Sequence, residues 1–175
     1  MKQLRNIKLL APDAIYDEMN SPVGTLIMIA SSEGLHAVLW DIDRENSKIE
    51  KLIHNLKRNK NDSIIAKTKL QLDEYFQGKR KAFDLPLAAN GTDFQKQVWY
   101  QLQKIPYAET ISYGEQAERV GDRKKARAVG TANGLNPISI IVPCHRVIGS
   151  NGHLTGFAGG LDKKAFLLNL EKKNT

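Results

Sequence analysis

The sequence predicts two small domains, an α/β domain followed by a mainly helical domain with a helix-turn-helix motif. Near the N-terminus, two apolar segments have the pattern of a β-hairpin, whereas most of the later apolar residues recur at helical spacing. Between these regions lies "AFDLPLAANGTD", residues 82–93, whose proline, glycine and small residues are typical of a linker. We therefore expect an N-terminal domain at 1–88 and a C-terminal domain at 89–175.

The N-terminal domain should contain a small antiparallel sheet and helices. Residues 22–40 read as two strands joined by a turn at 31–34. The charged segment 47–78 predicts two helices separated by the polar stretch "KRNKND". The apolar residues behind this prediction are Ile49, Leu52, Ile53 and Leu56 in the first helix and Leu70, Leu72 and Phe76 in the second.

The C-terminal domain should begin with a helix capped by Thr92 or Asp93 and ending before Pro106. Its apolar residues are Phe94, Val98, Trp99 and Leu102. A second helix is expected over 113–120 and a third over 123–135, closed by Gly134. The short turn between these two helices, at Gly121 and Asp122, is typical of a helix-turn-helix. After them, "PISIIV", residues 137–142, predicts a buried strand that leads into Cys144.

Composition and charge limit the classes of protein. The 41% hydrophobic content is enough for a globular core, and a single cysteine excludes an internal disulfide. The apolar run near the N-terminus is broken by Pro12 and Asp13, so we expect no signal peptide and a cytoplasmic protein. No segment has the length and hydrophobicity of a membrane span.

The net charge of +7 is concentrated in the C-terminal half. The stretch "RVGDRKKAR", residues 119–127, contains five basic residues and one acidic residue. This density is typical of a surface that faces phosphates, although basic runs are also common on solvated helices. Its coincidence with the predicted helix-turn-helix favours nucleic acid as the partner.

The surroundings of Cys144 are unusual for a structural cysteine, although most lone cysteines are small buried hydrophobes. Pro143 precedes it, and His145 and Arg146 follow it, which is not the pattern of a continuing core strand. In an extended chain Cys144 and His145 would point to opposite faces, so a water would have to link them. A thiol with a pKa near ~8.5 needs such a base to become a nucleophile at neutral pH.

Other residues have both a structural and a functional interpretation. Arg127 is a surface charge or, because Ala126 and Ala128 flank it, a cation that a closely approaching helix inserts into the DNA stack. Tyr113 is a core aromatic or a phenol at the start of the helix-turn-helix. A peptidase would need a separate histidine, and none of His36, His54 and His153 lies in a suitable context.

The segment "PCHRVIG", residues 143–149, closely resembles the active-site motif of the methylated-DNA–protein-cysteine methyltransferases, the O6-alkylguanine-DNA alkyltransferases. The resemblance extends over both expected domains in the family's order. The segments that carry it are "SPVGTL", "LDEYFQGKRKAFDLPL", "GTDFQKQVW", "IPYAETISYGE", "KARAVGTANGLNPI" and "GFAGGLDKKAFLLNLE". It implies a ribonuclease H-like N-terminal domain and a winged-helix-like C-terminal domain.

The resemblance also implies roles for individual residues. Cys144 matches the cysteine that accepts the alkyl group, His145 the water-linked base, and Glu171 the carboxylate that orients this histidine. Tyr113 matches the phenol that binds the flipped guanine and assists its leaving oxygen. Arg127 matches the arginine that replaces the extruded base in the helix.

Further positions follow from the same resemblance. Asn136 matches the asparagine that braces the turn before the active site, and 157–160 resembles the loop that closes over the base. The other residues implied for the base pocket and its support are Pro143, Val147, Phe157, Ala158 and Lys164, and those implied for the DNA-binding helix are Lys124, Lys125, Ala126, Ala128 and Gly130. Phe157 replaces a common tyrosine, Ala158 replaces a serine of some relatives, and Lys125 replaces a common small residue.

The function implied by the resemblance is DNA repair. The protein would flip O6-methylguanine, and also O4-methylthymine, out of double-stranded DNA and transfer the alkyl group irreversibly to Cys144 by SN2 attack, once per molecule. It would bind the minor groove as a monomer, without metal or other cofactor, since the cysteines of the zinc site found in some relatives are absent.

Two other functions are alternatives to DNA repair. One is a non-catalytic lesion-binding protein of the alkyltransferase-like type, and Cys144 counts against it because those proteins replace this cysteine. The other is a helix-turn-helix regulator, but "ARAVGTANG" is too small and apolar to read the major groove.

Overall fold

The computed structural model of the protein describes residues 10–40 and 47–175, with side chains from residue 50 onward in the second range. The first nine residues, which include the start of the N-terminal segment expected not to be a signal peptide, and the side chain of Ile49 lie outside the described part. In chain order the elements are β1 (Ile15–Ser21), β2 (Gly24–Ser31), β3 (Gly34–Trp40), α1 (Ser47–His54), β4 (Lys57–Arg58), α2 (Ser63–Phe76), α3 (Asp93–Leu102), β5 (Ile111–Ser112), α4 (Tyr113–Arg119), α5 (Ala126–Asn133), β6 (Val147–Ile148) and α6 (Leu161–Lys173). Two 3-10 helices are also present. Arg123–Lys125 directly precedes α5, and Cys144–Arg146 directly precedes β6.

The N-terminal sheet has the strand order β3-β2-β1-β4, with β1, β2 and β3 antiparallel and β4 parallel to β1. The predicted hairpin over 22–40 is confirmed and turns between Ser31 and Gly34. β1 was not predicted, because its buried Asp17 interrupts the apolar pattern. Arg58 donates to Asp17 at 2.7 Å and Lys69 also pairs with it, so the carboxylate is buried but compensated.

The two helices expected over 47–78 are confirmed as α1 and α2. Asp62, the last residue of the predicted polar separator, caps α2 by accepting from the backbone N–H groups of Ile64 and Ile65. Leu70, counted among the apolar positions of this helix, is 59% exposed, whereas Leu72 and Tyr75 are completely buried. The face of α2 that packs inward therefore carries Tyr75 toward the C-terminal half of the chain.

The segment expected as a linker is irregular, as predicted, but it is packed rather than free. Leu35 donates its N–H to the Pro86 carbonyl at 2.7 Å, and Ala88 donates to the Leu35 carbonyl at 2.9 Å. His36 is a core residue, whose ring nitrogens lie 2.7 Å from Ser31 Oγ and 2.8 Å from the Ala88 carbonyl. The expected domain boundary near residue 88 thus falls in a segment that adds to the edge of β3.

The helical C-terminal half has the predicted helix-turn-helix, formed by α4 and α5. Capping boxes begin α3 at Thr92 and α4 at Ser112. The third predicted helix, 123–135, is shorter than expected, because its first residues form the 3-10 helix Arg123–Lys125, and α5 begins only at Ala126. A buried amide pair between Gln116 and Asn133 locks α4 against α5, with N···O distances of 3.2 and 2.7 Å.

The prediction of a strand over 137–142 is wrong. These residues are buried, but only Ile138 forms a bridge, with Val38, and the chain then turns at Ile140, which has a φ of 72°. The turn is held by the Asn136 side chain, which donates to the Val142 carbonyl at 2.8 Å and accepts from the Ile138 N–H at 3.1 Å. Side-chain hydrogen bonds therefore override the strand preference of the β-branched residues. Within 10–40 and 47–175, no helix is long and apolar enough to cross a membrane.

Candidate functional site

Cys144 begins the 3-10 helix Cys144–Arg146 and is a buried free thiol, 6% exposed. The backbone here is helical rather than extended, which differs from the geometry that the sequence suggested. Burial raises the pKa of the thiol, an effect that the Asn136 side-chain hydrogen bond and the positive charge of Lys164 partly offset. The thiol therefore needs a base if it is to act as a nucleophile near neutral pH.

His145 is a neutral imidazole whose Nδ1 carries a lone pair. Its Nε2 lies 2.8 Å from Oε1 of Glu171. Burial alone would raise the pKa of Glu171, but hydrogen bonds and charges from His145 and Arg146 lower it to about 2, so the carboxylate can only accept. Nε2 must therefore donate, which leaves Nδ1 as an acceptor, and Nδ1 has no hydrogen-bond partner among the described residues. Burial, together with the positive charges of Arg146 and Lys164, lowers the pKa of His145 below its ordinary value against the opposing hydrogen bond and charge of Glu171.

Glu171, on α6, collects donors from several parts of the fold. Its carboxylate accepts from Tyr75 Oη at 2.8 Å, from the Ala108 N–H at 3.0 Å and from Arg146 Nε at 3.0 Å. Arg146 also donates through Nη2 to the same carboxylate, at 3.0 Å, and through Nη1 to the Ile105 carbonyl, at 2.7 Å. The buried charge pair is thus fully hydrogen-bonded, the condition under which such a pair is tolerated.

Sequence reasoning did not identify Arg146, Tyr75 or Ala108 as site residues. Arg146 lies within the motif "PCHRV", and its position beside His145 was the available signal. Tyr75 lies within "LDEYFQGKRKAFDLPL", a segment that resembles the family but that implies no contact with the site. Ala108 contributes a backbone N–H and has a φ of 63°. The sequence around it does not predict this backbone conformation.

Lys164 and Tyr113 also interact with Cys144, and Lys164 Nζ lies 5.8 Å from the centroid of the Tyr113 ring. Lys164 is completely buried, and its Nζ donates to the carbonyls of Val147 and Thr155 at 2.6 and 2.8 Å. Burial lowers the pKa of Lys164 to about 8, against the opposing effect of Cys144. Tyr113 Oη donates to the Thr155 carbonyl at 3.0 Å, and burial raises the pKa of this phenol. Both groups thus place N–H or O–H donors near the thiol.

The loop over 157–160 is fixed by the N-terminal sheet. The ring of Phe157 packs edge-on against Trp40, with 5.6 Å between centroids. A Cβ on Gly159 would lie 2.7 Å from the Trp40 ring, so this position has room only for glycine. Trp40 Nε1 also donates to Ser139 Oγ at 3.1 Å. The end of β3 thereby supports both the turn before Cys144 and the loop with half-buried Ala158.

The residues predicted to meet DNA form an exposed surface on the other side of Tyr113. Gly130 of α5 faces the Tyr113 ring, which a Cβ on Gly130 would meet at 3.5 Å. The exposed members of the predicted set are Lys124, Lys125, Arg127 and Ala128, while Ala126 and Gly130 are half-buried. The structure therefore groups Cys144, His145, Glu171, Asn136, Lys164 and Tyr113 in one cluster and leaves Arg127 on a neighbouring basic face.

The two remaining predicted residues, Pro143 and Val147, are buried supports of this cluster. The Pro143 carbonyl accepts from the Arg146 N–H at 3.0 Å, and Val147 is completely buried. Across the part of the chain that the structure describes, no group of three or more His, Cys, Asp or Glu side chains could hold a metal ion.

Comparisons with known proteins cover nearly the whole chain. The family model described as "6-O-methylguanine DNA methyltransferase, ribonuclease-like domain" matches residues 14–89, and "6-O-methylguanine DNA methyltransferase, DNA binding domain" matches residues 93–173. The chain is 48% identical over 161 residues to the methylated-DNA–protein-cysteine methyltransferase of Methanosarcina acetivorans, covering 89% of this chain and 97% of that protein.

Solved structures also resemble the chain over nearly its whole length. The crystal structure of the Mycobacterium tuberculosis O6-methylguanine methyltransferase is 41% identical, with a TM-score of 0.82, and the match covers 93% of this chain and 94% of that one. A second structure of the Mycobacterium tuberculosis protein, in complex with DNA, is 41% identical with a TM-score of 0.80 and covers 91% and 94% of the two chains. The fold predicted from the sequence, a ribonuclease-like sheet domain followed by a helical DNA-binding domain, is confirmed by these matches.

Proposed function

Because the chain belongs to the 6-O-methylguanine DNA methyltransferase family and repairs DNA by alkyl transfer, we propose that Sγ of Cys144 receives the alkyl group of O6-methylguanine. The observation that carries this assignment is the arrangement around the thiol. Cys144 is buried next to a neutral imidazole whose Nδ1 is available to accept a proton and whose Nε2 is fixed by an ionised carboxylate.

The proposed reaction is an SN2 displacement at the methyl carbon. A water links Sγ to His145 Nδ1 and passes the thiol proton to the imidazole as the thiolate attacks. The new bond joins Sγ to carbon, and the bond that breaks joins the same carbon to O6 of guanine. Tyr113 donates a hydrogen bond to the leaving base, and the released proton ends on guanine, so the base leaves neutral.

Lys164 supports the charge that develops on Cys144. Its ammonium lies in a buried position and lowers the pKa of the thiol by direct attraction. In a site from which water is largely excluded, such a fixed cation stabilises a thiolate more than it would in solvent. Its two carbonyl partners hold the ammonium in place, so the charge is already positioned before the base enters.

The reaction is irreversible and uses the protein once. Removing the alkyl group would require displacement of a thiolate from an unactivated thioether, which is a poor reaction for any of the side chains around Cys144, and Cys144 is a free thiol with no second cysteine beside it. The same attack applies to O4-methylthymine, which also carries a methyl group on an exocyclic oxygen. Each protein molecule should therefore repair a single base.

The mode of DNA binding follows from the exposed face of α5. Its small residues Ala126, Ala128 and Gly130 allow the helix to approach the floor of the minor groove closely. Arg127, exposed on this face, then enters the base stack in place of the flipped nucleotide. Lys124 and Lys125, which are exposed, contact phosphates in this proposal, and such contacts fix the register of the protein on the duplex without reading sequence. One monomer is sufficient for this contact.

We expect Arg127→Ala to slow repair of O6-methylguanine in duplex DNA by about ten- to a hundredfold, because unstacking a base costs a few kcal/mol that the inserted arginine offsets. Transfer from free O6-benzylguanine, which requires no flipping, should change little. The measurement is single-turnover transfer from both substrates at saturating concentration.

Lys124→Ala is the matched control, since it removes one cation from the same face without removing the inserted side chain. It should weaken DNA binding at high salt but leave the rate at saturating DNA near that of the wild type. Equal losses on the duplex and on the free base in Arg127→Ala would show that Arg127 has no role in extruding the base.

A further inference from the structure

The hydroxyl of Tyr75 reaches the active-site relay from the N-terminal half of the chain. Tyr75 lies near the end of α2, is completely buried, and donates its hydroxyl proton to Oε1 of Glu171 at 2.8 Å. Oε1 is the same oxygen that accepts from His145 Nε2, also at 2.8 Å. The tyrosine and the histidine therefore share one carboxylate oxygen, to which Arg146 Nη2 also donates at 3.0 Å.

We propose that Tyr75 is a positioning residue of the relay, whose hydroxyl, by sharing Oε1 of Glu171 with His145, limits the strength of the His145–Glu171 hydrogen bond and keeps the imidazole neutral. The inference rests on the proposed role of His145 as the base. A base can accept the thiol proton only while its Nδ1 is unprotonated.

The hydroxyl acts on the charge of Oε1 more than on the location of the carboxylate. Arg146 grips Glu171 through Nε and Nη2, and the Ala108 N–H holds Oε2 at 3.0 Å. These contacts remain when the tyrosine hydroxyl is removed, so the carboxylate stays in place. An oxygen with one donor fewer is a stronger acceptor for His145, and a stronger bond to the carboxylate stabilises the protonated imidazole.

The charged groups around His145 act on its protonation in opposing directions. Arg146, in the same 3-10 helix, and Lys164, on α6, are cations that disfavour a protonated imidazole. Glu171 is the anion that favours one. Cys144 precedes His145 in the chain, and Tyr107 contributes a phenol that faces Glu171. The protonation state of His145 is therefore set by a balance between burial and these charges, and the Tyr75 hydrogen bond acts on it by weakening the contribution of Glu171.

The consequence is that the N-terminal half of the chain contributes to the chemistry as well as to the fold. α2 delivers the one hydroxyl that lowers the electron density of Oε1, across a separation of 96 residues in sequence. Without this hydroxyl, His145 would become protonated at a higher pH and the relay would lose its base under mildly acidic conditions.

The test is the pH dependence of single-turnover methyl transfer from duplex O6-methylguanine by Tyr75→Phe. On the acid side, the midpoint of the profile should move to higher pH by about 0.5 unit or more, a fraction of the roughly 1 to 2 units that a whole hydrogen bond to a charged group is worth, because the hydroxyl acts on His145 only through the shared oxygen. At alkaline pH the rate should equal that of the wild type. A role confined to packing would instead lower the rate by the same factor at every pH.

Tyr107→Phe is the matched control. Its ring lies 6.2 Å from that of Tyr75, but its hydroxyl makes no hydrogen bond to any described residue. This variant should therefore keep the wild-type midpoint. A shift of equal size in Tyr107→Phe would contradict the proposal, because it would show that any loss of a phenol near Glu171 moves the profile.

A second readout does not depend on alkyl transfer. In the proton NMR spectrum of the intact protein, the His145 ring carbon protons should titrate at higher pH in Tyr75→Phe than in the wild type. If His145 titrates at the same pH in Tyr75→Phe as in the wild type, and the wild-type protein transfers methyl groups normally, the role of Tyr75 is overturned but the proposed function stands. Wild-type protein that transfers no methyl group to Cys144 instead overturns the proposed function.

Discussion

Replacing Cys144 with serine is expected to abolish methyl transfer while leaving the affinity for duplex DNA unchanged. A serine hydroxyl is much less acidic than a thiol, so the His145 relay cannot generate a useful nucleophile from it. The substitution is nearly isosteric and lies in a buried position, away from the exposed side chains of α5. Transfer of labelled methyl from duplex O6-methylguanine and DNA binding by fluorescence anisotropy measure the two properties.

The outcome of Cys144→Ser separates the repair protein from a protein that only binds lesions. A lesion-binding protein would behave identically with cysteine or serine at this position in both assays. Methyl transfer by the serine variant would place the acceptor on another side chain and would refute the assignment of Cys144. A simultaneous loss of DNA binding would show that the residue also supports the DNA-binding surface.

Glu171→Gln is expected to slow methyl transfer near neutral pH by about ten- to a hundredfold and to recover partly in alkaline buffer. The carboxylate raises the pKa of His145 through its hydrogen bond and its charge, so its loss makes the imidazole a weaker base. The apparent pKa of the Cys144 thiol then rises, and each unit costs about 1.4 kcal/mol, roughly tenfold in thiolate. Alkaline buffer restores thiolate without the relay.

The measurement for Glu171→Gln is single-turnover transfer against pH, with DNA binding determined separately. Glu74→Gln is a matched control, because Glu74 also pairs with an arginine, Arg80 Nε at 2.6 Å, but is not part of the Cys144 cluster. If the mutant and wild-type rate profiles have the same apparent pKa and differ only by a constant factor, Glu171 has only a structural role.

Glu171→Gln should also lower the free energy of unfolding at neutral pH by on the order of 3 kcal/mol, since Arg146 remains buried without its carboxylate. The pKa of Glu171 is about 2 in the folded protein, below its ordinary value of 4.5. Its contribution to wild-type stability is therefore complete above about pH 4.5 and is lost as the pH falls toward 2. Chemical denaturation at pH 7 and pH 3 should show the difference between the two proteins narrowing at the lower pH.

Local sequence signals predicted the elements whose formation depends on neighbouring residues. The hairpin around residues 31–34 and the helix capped by Thr92 formed as expected, because turn and capping residues act over a few positions. β1 was missed because Asp17 is buried by ion pairing with distant Arg58 and Lys69. The false strand at 137–142 has the composition of a strand, but the Asn136 side chain imposes a turn.

The candidate site was predicted mainly from the family resemblance, in which "PCHRVIG" supplied Cys144 and His145 and "GFAGGLDKKAFLLNLE" supplied Glu171. Spacing alone could not have paired His145 with Glu171, since 26 residues separate them. The donors that surround the carboxylate were missed for the same reason. Arg146 lies within the motif, but Tyr75 contacts Glu171 only because α2 and α6 meet in the folded protein. The catalytic roles of Cys144, His145 and Glu171 remain predictions.

The central claim is that Cys144 accepts one alkyl group and keeps it. Intact mass spectrometry of the wild-type protein, after incubation with an excess of duplex containing O6-methylguanine, tests it most directly. We predict a complete shift to a species heavier by a single methyl group, located on Cys144 by peptide mapping, with the amount of repaired DNA equal to the amount of protein. Unmodified protein alongside repaired DNA in molar excess would contradict the claim, because it would require turnover.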